Sequence, residues 1–483
     1  MKYSVAMTDE VNGALLEQLV RPDGQEDLCF ALWRPSYGRT RTTALVNQVI
    51  LPEVGDRQVH GNASFNPSYV DRVLGVALAS GTGIAFLHSH PARGWQDMSR
   101  DDVSAEELLA PTVRGTTGLP LVGMTLGTRD GVWSARAWER VRARRYRRVW
   151  AQSVRVVGQN LRAHFCDRVL RPPVHQAAQV RTVAAWGPET QAEIARLKVG
   201  IVGLGSVGSI LSEALARTGV QHIQLLDYQT LEEVNLDRTL HAYPRDARLG
   251  RAKVQVVAKA LRRSATAKGF KVEADELSVC EDEGYRKALD CDVVFSCVDR
   301  PWARSVLNLV AYAHLIPVVD GGILVTRTGR GRLRGADWKA HSVGPGHRCL
   351  LCLGQYDPGL VAADRRGDLE DPHYLEGLPD GHPVKANENV FGFSLAVASL
   401  ELAQWIMLTV APLGLGPPGP QNYHLTMGSI ELGPTACETD CIFPGHIASG
   451  EEHHPGTAVH PAAEAARGHR AARHSVTTIP LII

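Results

Sequence analysis

Three glycines between Lys198 and Arg238 constrain this chain more than any other feature. In KVGIVGLGSVGSILSEALARTGVQHIQLLDYQTLEEVNLDR, apolar Val199, Ile201 and Val202 run into Gly203-x-Gly205-x-x-Gly208. Ile210, Leu211, Ala214 and Leu215 then recur at helical spacing, so the stretch reads as strand, tight turn and helix. Glycines at such a turn let backbone approach a ligand closely, and the start of the helix favours anionic groups. Ile223 to Leu226 form a second strand that ends at Asp227, placed to meet a ribose. The spacing therefore predicts a doubly wound α/β sheet with a nucleotide pocket. A glycine turn that serves packing alone is the plainer alternative, and the carboxylate at the expected distance argues against it.

Asn235-Leu236-Asp237-Arg238 follow at once, then Lys253 after Gly250, then Asp299 and Arg304 beyond an expected strand from Asp292 to Ser296. A hydride-transfer enzyme needs none of these, whereas cations and a carboxylate at strand ends suit a triphosphate with magnesium. At these residues, over roughly 181 to 441, the chain resembles the superfamily of ThiF, MoeB and HesA and the adenylation domains of ubiquitin-activating enzymes. The resemblance implies a Rossmann-like adenylation domain using ATP and Mg2+. It implies that Gly203, Gly205 and Gly208 cradle the nucleotide and that Asp227 binds the ribose. Asn235, Arg238 and Lys253 would hold the phosphates with Arg304 as a further cation, and Asp299 would position magnesium. Arg181 falls where the family keeps an arginine that reaches into the partner's ATP site, so a homodimer is implied.

With 483 residues, of which 44% are hydrophobic, the chain has material for two or three ordinary cores. A net charge of +1 gives no electrostatic case for nucleic acid or an anionic membrane, and the basic run from Arg140 to Arg148 reads as a solvated helix face. The sequence holds no run of about 18 consecutive apolar residues and no signal-peptide pattern at its start, which places the protein in the cytosol. Nine cysteines in that compartment read as metal ligands or core thiols rather than disulfides.

Residues 1–140 read as a separate mixed α/β domain. Pro22-Asp23-Gly24 is a turn, Leu28 to Trp33 and Ala44 to Leu51 are strands, Asn66 to Ser80 is a helix, and Gly83 to Leu87 is a strand that delivers His88-Ser89-His90. Two imidazoles one residue apart on extended chain point the same way, and Ser99-x-x-Asp102 opens a helix with a carboxylate facing back. Two histidines, an aspartate and an open fourth position suit a catalytic zinc ion; a lone His-x-His pair would more simply be a surface pair. The motif resembles the JAMM (MPN-type) metalloprotease signature, in which a distant glutamate activates water and the serine stabilises the oxyanion. The resemblance implies His88, His90 and Asp102 for zinc, Ser99 as transition-state donor and Glu26 as acid/base, with Glu17 and Glu53 as the other glutamates to consider. Between His90 and Ser99 lie eight residues, one more than the usual pattern, which predicts a one-residue loop insertion.

Residues 141–180 read as a helical connector, with a long helix between Val141 and Leu161 that ends before Arg171-Pro172-Pro173. The adenylation domain spans 181–445. Within it, Ile316 to Asp320 is another strand, and Phe391 to Thr409, apolar nearly all round, is a core helix. Cys349-x-x-Cys352 is answered by Cys437-x-x-x-Cys441, paired thiols that suit a closed four-sulfur structural zinc site, as relatives of ThiF and MoeB place them. Ubiquitin-activating enzymes that carry cargo as a thioester place a cysteine in the loop over the adenylate, here between Leu353 and Asn389, and that stretch has none. Cys29, Cys166, Cys280, Cys291 and Cys297 read as buried hydrophobes. Residues 446–483, rich in His, Ala and Pro, read as a disordered tail.

Together the two resemblances imply a bifunctional enzyme. One half would adenylate the C-terminal glycine of a ubiquitin-like or sulfur-carrier protein with ATP, and the other would cleave the peptide or isopeptide bond after the same tail. The competing readings are adenylation of a different small substrate or peptide beside a non-catalytic JAMM-like binding domain, and a scaffold built of two inactive domains.

Overall fold

The computed structural model describes residues 1–60, 62–142, 145–379, 385 and 388–477. It holds two compact units. The first is Met1–Pro172 with Tyr312–Leu315 and Pro444–His454; the second is Pro173–Ala311 with Ile316–Phe443 and the chain from Pro455 onward. Both are mixed α/β, as the sequence predicts.

The first unit contains β1 (Lys2–Thr8), α1 (Asp9–Leu19), β2 (Leu28–Tyr37), β3 (Arg41–Ile50), β4 (Arg57–His60), β5 (Asn62–Phe65), α2 (Pro67–Ser80), β6 (Gly83–His90), α3 (Arg100–Thr117), β7 (Val122–Gly127), β8 (Val132–Arg142), β9 (Arg145–Trp150), β10 (Ser153–Val157) and β11 (Leu161–Phe165). Nine strands make one sheet in the order β11-β10-β1-β3-β2-β6-β7-β8-β9. The strand β6 is antiparallel to β2 and parallel to β7. It is apolar on both faces because each face has its own core. Ala85 and Leu87 join the cluster that includes Leu15 and Leu19 of α1, while Ile84 and Phe86 join Tyr69, Val73 and Ala77 of α2 and Leu109, Ala110 and Val113 of α3. Strand parity then puts His88 and His90 on the α3 side.

The long helix expected between Val141 and Leu161 is replaced by strands. The basic run lies on the β8–β9 hairpin, where Arg147 pairs with Glu139 at 2.7 Å and the Arg148 guanidinium sits 5.0 Å from the Trp150 ring. Aromatic and β-branched Tyr146, Val149, Trp150, Val154, Val156 and Val157 favour pleated chain, and the six arginines from Arg140 to Arg148 disguise that preference. The first unit therefore runs past 140 to Pro172, and residues 141–180 are not a helical connector. Residues 143–144 of that expected helix lie outside the described residues.

The second unit contains α4 (Val180–Trp186), α5 (Pro188–Arg196), β12 (Lys198–Val202), α6 (Ser206–Thr218), β13 (His222–Leu226), α7 (Pro244–Arg248), α8 (Lys253–Ser264), β14 (Lys271–Asp275), α9 (Asp282–Ala288), β15 (Val293–Ser296), α10 (Pro301–Ala313), β16 (Val318–Arg327), β17 (Leu333–Val343), α11 (Pro358–Arg366), α12 (Pro372–Gly377), α13 (Phe391–Thr409), β18 (Gln421–His424), β19 (Ser429–Leu432) and α14 (Pro461–Thr477). The sheet order is β14-β13-β12-β15-β16-β17-β18-β19, parallel from β14 to β16 and antiparallel beyond. The strand order reverses between β12 and β15, and the crevice outside the carboxyl ends of such strands is where this architecture takes ligands.

Two expectations in this unit need correction. Helix α13 has the expected bounds and is long and apolar enough to cross a membrane by length and composition, yet it packs on β16, β17 and α6 with one face only. Val397, Glu401, Gln404, Trp405 and Leu408 are buried, whereas Leu395 on the opposite face is 51% exposed, so α13 is not wholly core. Nor is the stretch after 446 a disordered tail. Pro444–His454 belongs to the first unit, and Pro461–Thr477 is helical, as its alanine-rich sequence favours. Residues 478–483 lie outside the described residues.

Candidate functional sites

In the first unit, Asp102 occupies the third position of α3, fixed there by a capping box. The Ser99 Oγ accepts the Asp102 N–H at 3.1 Å, and Asp102 Oδ2 accepts the Ser99 N–H at 2.7 Å. The same carboxylate meets both imidazoles, His88 Nε2 at 3.3 Å and His90 Nε2 at 3.4 Å. One ligand atom from each of His88, His90 and Asp102 lies within 4.8 Å of the others, the spacing a single metal ion requires. Glu26, just ahead of β2, brings Oε1 to 4.0 Å from His90 Nε2. Glu17 and Glu53 are exposed, and Glu53 faces Arg72 at 3.5 Å. Between His90 and Ser99 runs a loop in which Gly94 adopts φ +73° and donates its N–H to Asp130 at 2.7 Å.

Electrostatics sort the four groups. Burial pushes the His88 ring below its ordinary range, and hydrogen bonding to Asp102 lifts His90 above it. Burial opposes the ionised form of Asp102, but its bonds to both histidines outweigh this and hold the carboxyl far below the usual range. Burial raises the Glu26 carboxyl against the pull of His90, which favours a group able to hold a proton.

Behind His88 lies a network that sequence reasoning missed. Thr125 Oγ1 is 3.3 Å from His88 Nε2 and accepts from Arg136 at 2.6 Å. Arg136 in turn pairs with Glu106, which also accepts the Trp138 indole N–H at 2.6 Å. Arg136 and Glu106 are 1% and 0% exposed, so each ion depends on the other. A Cβ on Gly123 would lie 2.3 Å from the Glu106 oxygens, which explains glycine there. The one available sequence signal was Glu106 standing one helical turn after Asp102.

In the second unit, the three glycines divide the work. A Cβ on Gly203, which has φ +91°, would meet the Cys297 carbonyl at 2.4 Å, and one on Gly208 would meet the Gly203 carbonyl at 1.9 Å. Gly205 faces open space, leaving backbone free to approach a ligand at the start of α6. Asp227, 7% exposed, accepts the Leu204 N–H at 2.6 Å and the Gln229 N–H at 2.7 Å. Gln229 Oε1 accepts from Lys253 Nζ at 2.6 Å, so Lys253 is gathered beside Asp227. Asn235 caps a short turn by accepting the Glu232 N–H at 3.0 Å, and Leu240 N–H bonds Ser209 Oγ of α6 at 3.0 Å, laying the Asn235–Arg238 segment on that helix. Arg238 is half-exposed and pairs with Asp237 at 2.9 Å. Asp299 is exposed just before α10, and Arg181 is exposed on α4.

Arg304 departs from the others. Its three nitrogens are engaged with Asp320 at 3.2 Å, the Gly321 carbonyl at 2.9 Å and the Gln355 carbonyl at 3.3 Å. Burial works against the Asp320 charge, but Arg304 and His341 keep the carboxyl below its ordinary range. Glu401, fully buried beside Asp320 and 3.9 Å from the Cys297 sulfur, is pushed well above its ordinary range by burial.

Cys349, Cys352, Cys437 and Cys441 also converge, their sulfurs within 4.8 Å of one another. Cys349 and Cys441 sulfurs are 3.6 Å apart, and backbone N–H groups of Cys349 and Cys352 point at the sulfurs of Cys437 and Cys349 at 3.2 and 3.3 Å. Arg348 bonds the carbonyls of Ala436 and Cys352, tying the two pairs together.

The ThiF family matches residues 177–427. Over 130 residues the chain is 34% identical to a molybdopterin-synthase adenylyltransferase of Escherichia coli, covering 26% of this chain and 49% of that protein. It is 30% identical over 173 residues to an adenylyltransferase and sulfurtransferase UBA4 of Yarrowia lipolytica, covering 35% and 40%, and 31% identical over 123 residues to a ubiquitin-like modifier-activating enzyme 5 of Oryza sativa, covering 23% and 28%. The matches thus span about half or less of the length of these relatives. Among solved structures, E. coli MccB with AMPCPP and MccA is 18% identical, with a TM-score of 0.43 over 56% of this chain and 74% of MccB.

Proposed function

The chain belongs to the ThiF family, and from that premise we propose that it is an ATP-dependent adenylyltransferase for the C-terminal glycine of a ubiquitin-like or sulfur-carrier protein, joined to a JAMM-type zinc peptidase that cleaves after the same tail. The observation that carries the reading is the pairing, in one chain, of the Gly203–Asp227 turn with the convergence of His88, His90, Asp102 and Glu26.

For adenylation, the cargo carboxylate displaces pyrophosphate from the α-phosphorus of ATP. Asp227 takes the ribose, the start of α6 with Asn235, Arg238 and Lys253 holds the phosphates, and Asp299 would hold magnesium, which would screen their charge. Arg304, spent on Asp320 and two carbonyls, fixes the start of α10 instead of binding phosphate. The thiols of buried Cys29 and Cys280 and of half-buried Cys297 are pushed up by desolvation, so none is a ready acyl acceptor, and the acyl group passes to a nucleophile on another molecule.

For cleavage, the donor set of two imidazoles and a carboxylate fits zinc, which would supply Lewis-acid polarisation. Glu26 takes the proton of the attacking water and returns it to the leaving amine, and the Ser99 hydroxyl donates to the oxygen where negative charge develops. A four-thiolate zinc held by Cys349, Cys352, Cys437 and Cys441 would be structural. Dimerisation, with Arg181 reaching the second copy's nucleotide, completes the reading.

ATP–pyrophosphate exchange tests it, run with and without small ubiquitin-fold proteins ending in Gly-Gly. Exchange that needs one such protein and is lost in Asp299→Ala is the expected result, with that protein then cleaved by wild type and not by Glu26→Ala. Exchange with none of them overturns the cargo assignment.

A further inference from the structure

The segment after Pro455 lies beyond the matched family region, yet one of its side chains is among the most buried in the second unit. His460 is 1% exposed. Its Nδ1 lies 2.8 Å from Ser278 Oγ, and its backbone N–H donates to Glu281 Oε1 at 3.2 Å. Its ring meets two aromatic rings edge-on, Tyr228 at 5.2 Å and Trp302 at 5.3 Å, and its Nε2 is 3.8 Å from Asp364 Oδ1. Asp364 in turn accepts the Trp302 N–H at 3.2 Å and faces Arg300 at 3.4 Å.

These partners flank the two carboxylates assigned to the nucleotide. Tyr228 is the residue after Asp227, and Arg300 is the residue after Asp299. One buried imidazole therefore touches both Tyr228, in the loop at the end of β13, and Trp302, in the first turn of α10, and reaches Arg300 in the preceding loop through Asp364. Helix α14 adds a second hold on the first loop: Arg470 Nη2 donates to the Tyr228 carbonyl at 3.1 Å while pairing with Glu276 beyond β14. Arg467 anchors the helix with two bonds to Glu281, at 2.8 and 3.0 Å.

We propose that the segment from Pro455 to Arg470 is a working part of the nucleotide site, with His460 as a positioning residue that holds the Asp227 and Asp299 loops at a fixed separation. The inference rests on the nucleotide reading above. A ligand that must meet one carboxylate with its ribose and the other through magnesium binds well only when their spacing is set beforehand. His460 sets it through packing and hydrogen bonds, without touching the nucleotide.

The test is calorimetric titration of the full chain with ATP and magnesium, for wild type, His460→Ala, Arg470→Gln and Asp227→Ala. Both tail variants are expected to weaken ATP binding by about tenfold, the scale of one lost hydrogen bond. Arg470→Gln, at a half-exposed position, should do so with an unchanged melting temperature in the absence of nucleotide. Unchanged ATP affinity in both tail variants, with binding lost in Asp227→Ala, overturns the positioning role and leaves the nucleotide site standing. Unchanged affinity in Asp227→Ala overturns both.

Discussion

Asp227 Oδ2 lies 2.6 Å from the backbone nitrogen of Leu204, in the middle of the glycine turn. The carboxylate thus holds the turn that precedes α6 and keeps lone pairs free for ligand hydroxyls. Asp227→Asn retains the shape and loses the charge. ATP binding should weaken about 10- to 100-fold, as for hydrogen bonds to a charged partner. Calorimetry with ATP and magnesium checks this, and wild-type affinity in the variant would remove Asp227 from the site.

Glu26 is the only expected acid/base whose carboxyl approaches the His88, His90 and Asp102 cluster among the glutamates considered. Glu26→Gln should leave zinc content at the wild-type level and cut isopeptide cleavage by about 10²- to 10⁴-fold, the usual contribution of a general base. Metal analysis beside a fluorogenic isopeptide assay separates the two. Residual cleavage at the wild-type rate would return Glu17 and Glu53 to consideration.

Cys352 is half-buried and belongs to the four-sulfur cluster. Cys352→Ser should lower bound zinc by one ion per chain and lower the melting temperature, because metal that binds only the folded form stabilises it. Zinc content that stays at the wild-type value would dismiss the four-thiolate assignment.

Glu401 supplies a pH dependence opposite to that of an ordinary carboxylate. Its folded-state pKa is raised by burial, so between the unfolded value and the folded one the folded state binds more protons. Stability from this group is complete below the unfolded pKa and falls as pH rises through that window. Glu401→Gln mimics the protonated form. It should melt higher than wild type at pH 7 to 8, with the difference shrinking toward pH 4, in a series of thermal scans. A constant difference at every pH would mean that Glu401 does not titrate in this range.

What could be read from sequence were short local spacings of chemically unusual side chains. Gly203-x-Gly205-x-x-Gly208, His88-x-His90 with Ser99-x-x-Asp102, and the two cysteine pairs each sit on one turn or one strand end, and the structure brings each set together. What escaped depends on residues far apart. Glu106 and Arg136 come from a helix and a strand, and Ser278 and His460 are separated by most of a domain; neither pair carries a local pattern. The β8–β9 hairpin was hidden because arginine is at home on a helix face as well as on a strand. The α14 helix was hidden because a composition poor in large apolar residues resembles disorder, although Ala462, at 7% exposure, and Ala463, at 0%, bury the small face that composition left it.

The first unit includes Pro444–His454, where Glu451 accepts the Tyr37 N–H at 2.9 Å, Glu452 pairs with Arg34 at 3.0 Å, and Gly450 packs so tightly that a Cβ would meet the Pro35 carbonyl at 2.3 Å. During synthesis, β2 leaves the ribosome long before this segment exists. The N-terminal sheet can form early, but that flank of it stays bare until the ribosome has passed the second unit's sheet. A nascent chain therefore carries a first unit with an open side, and completion of that unit is timed by translation of the second.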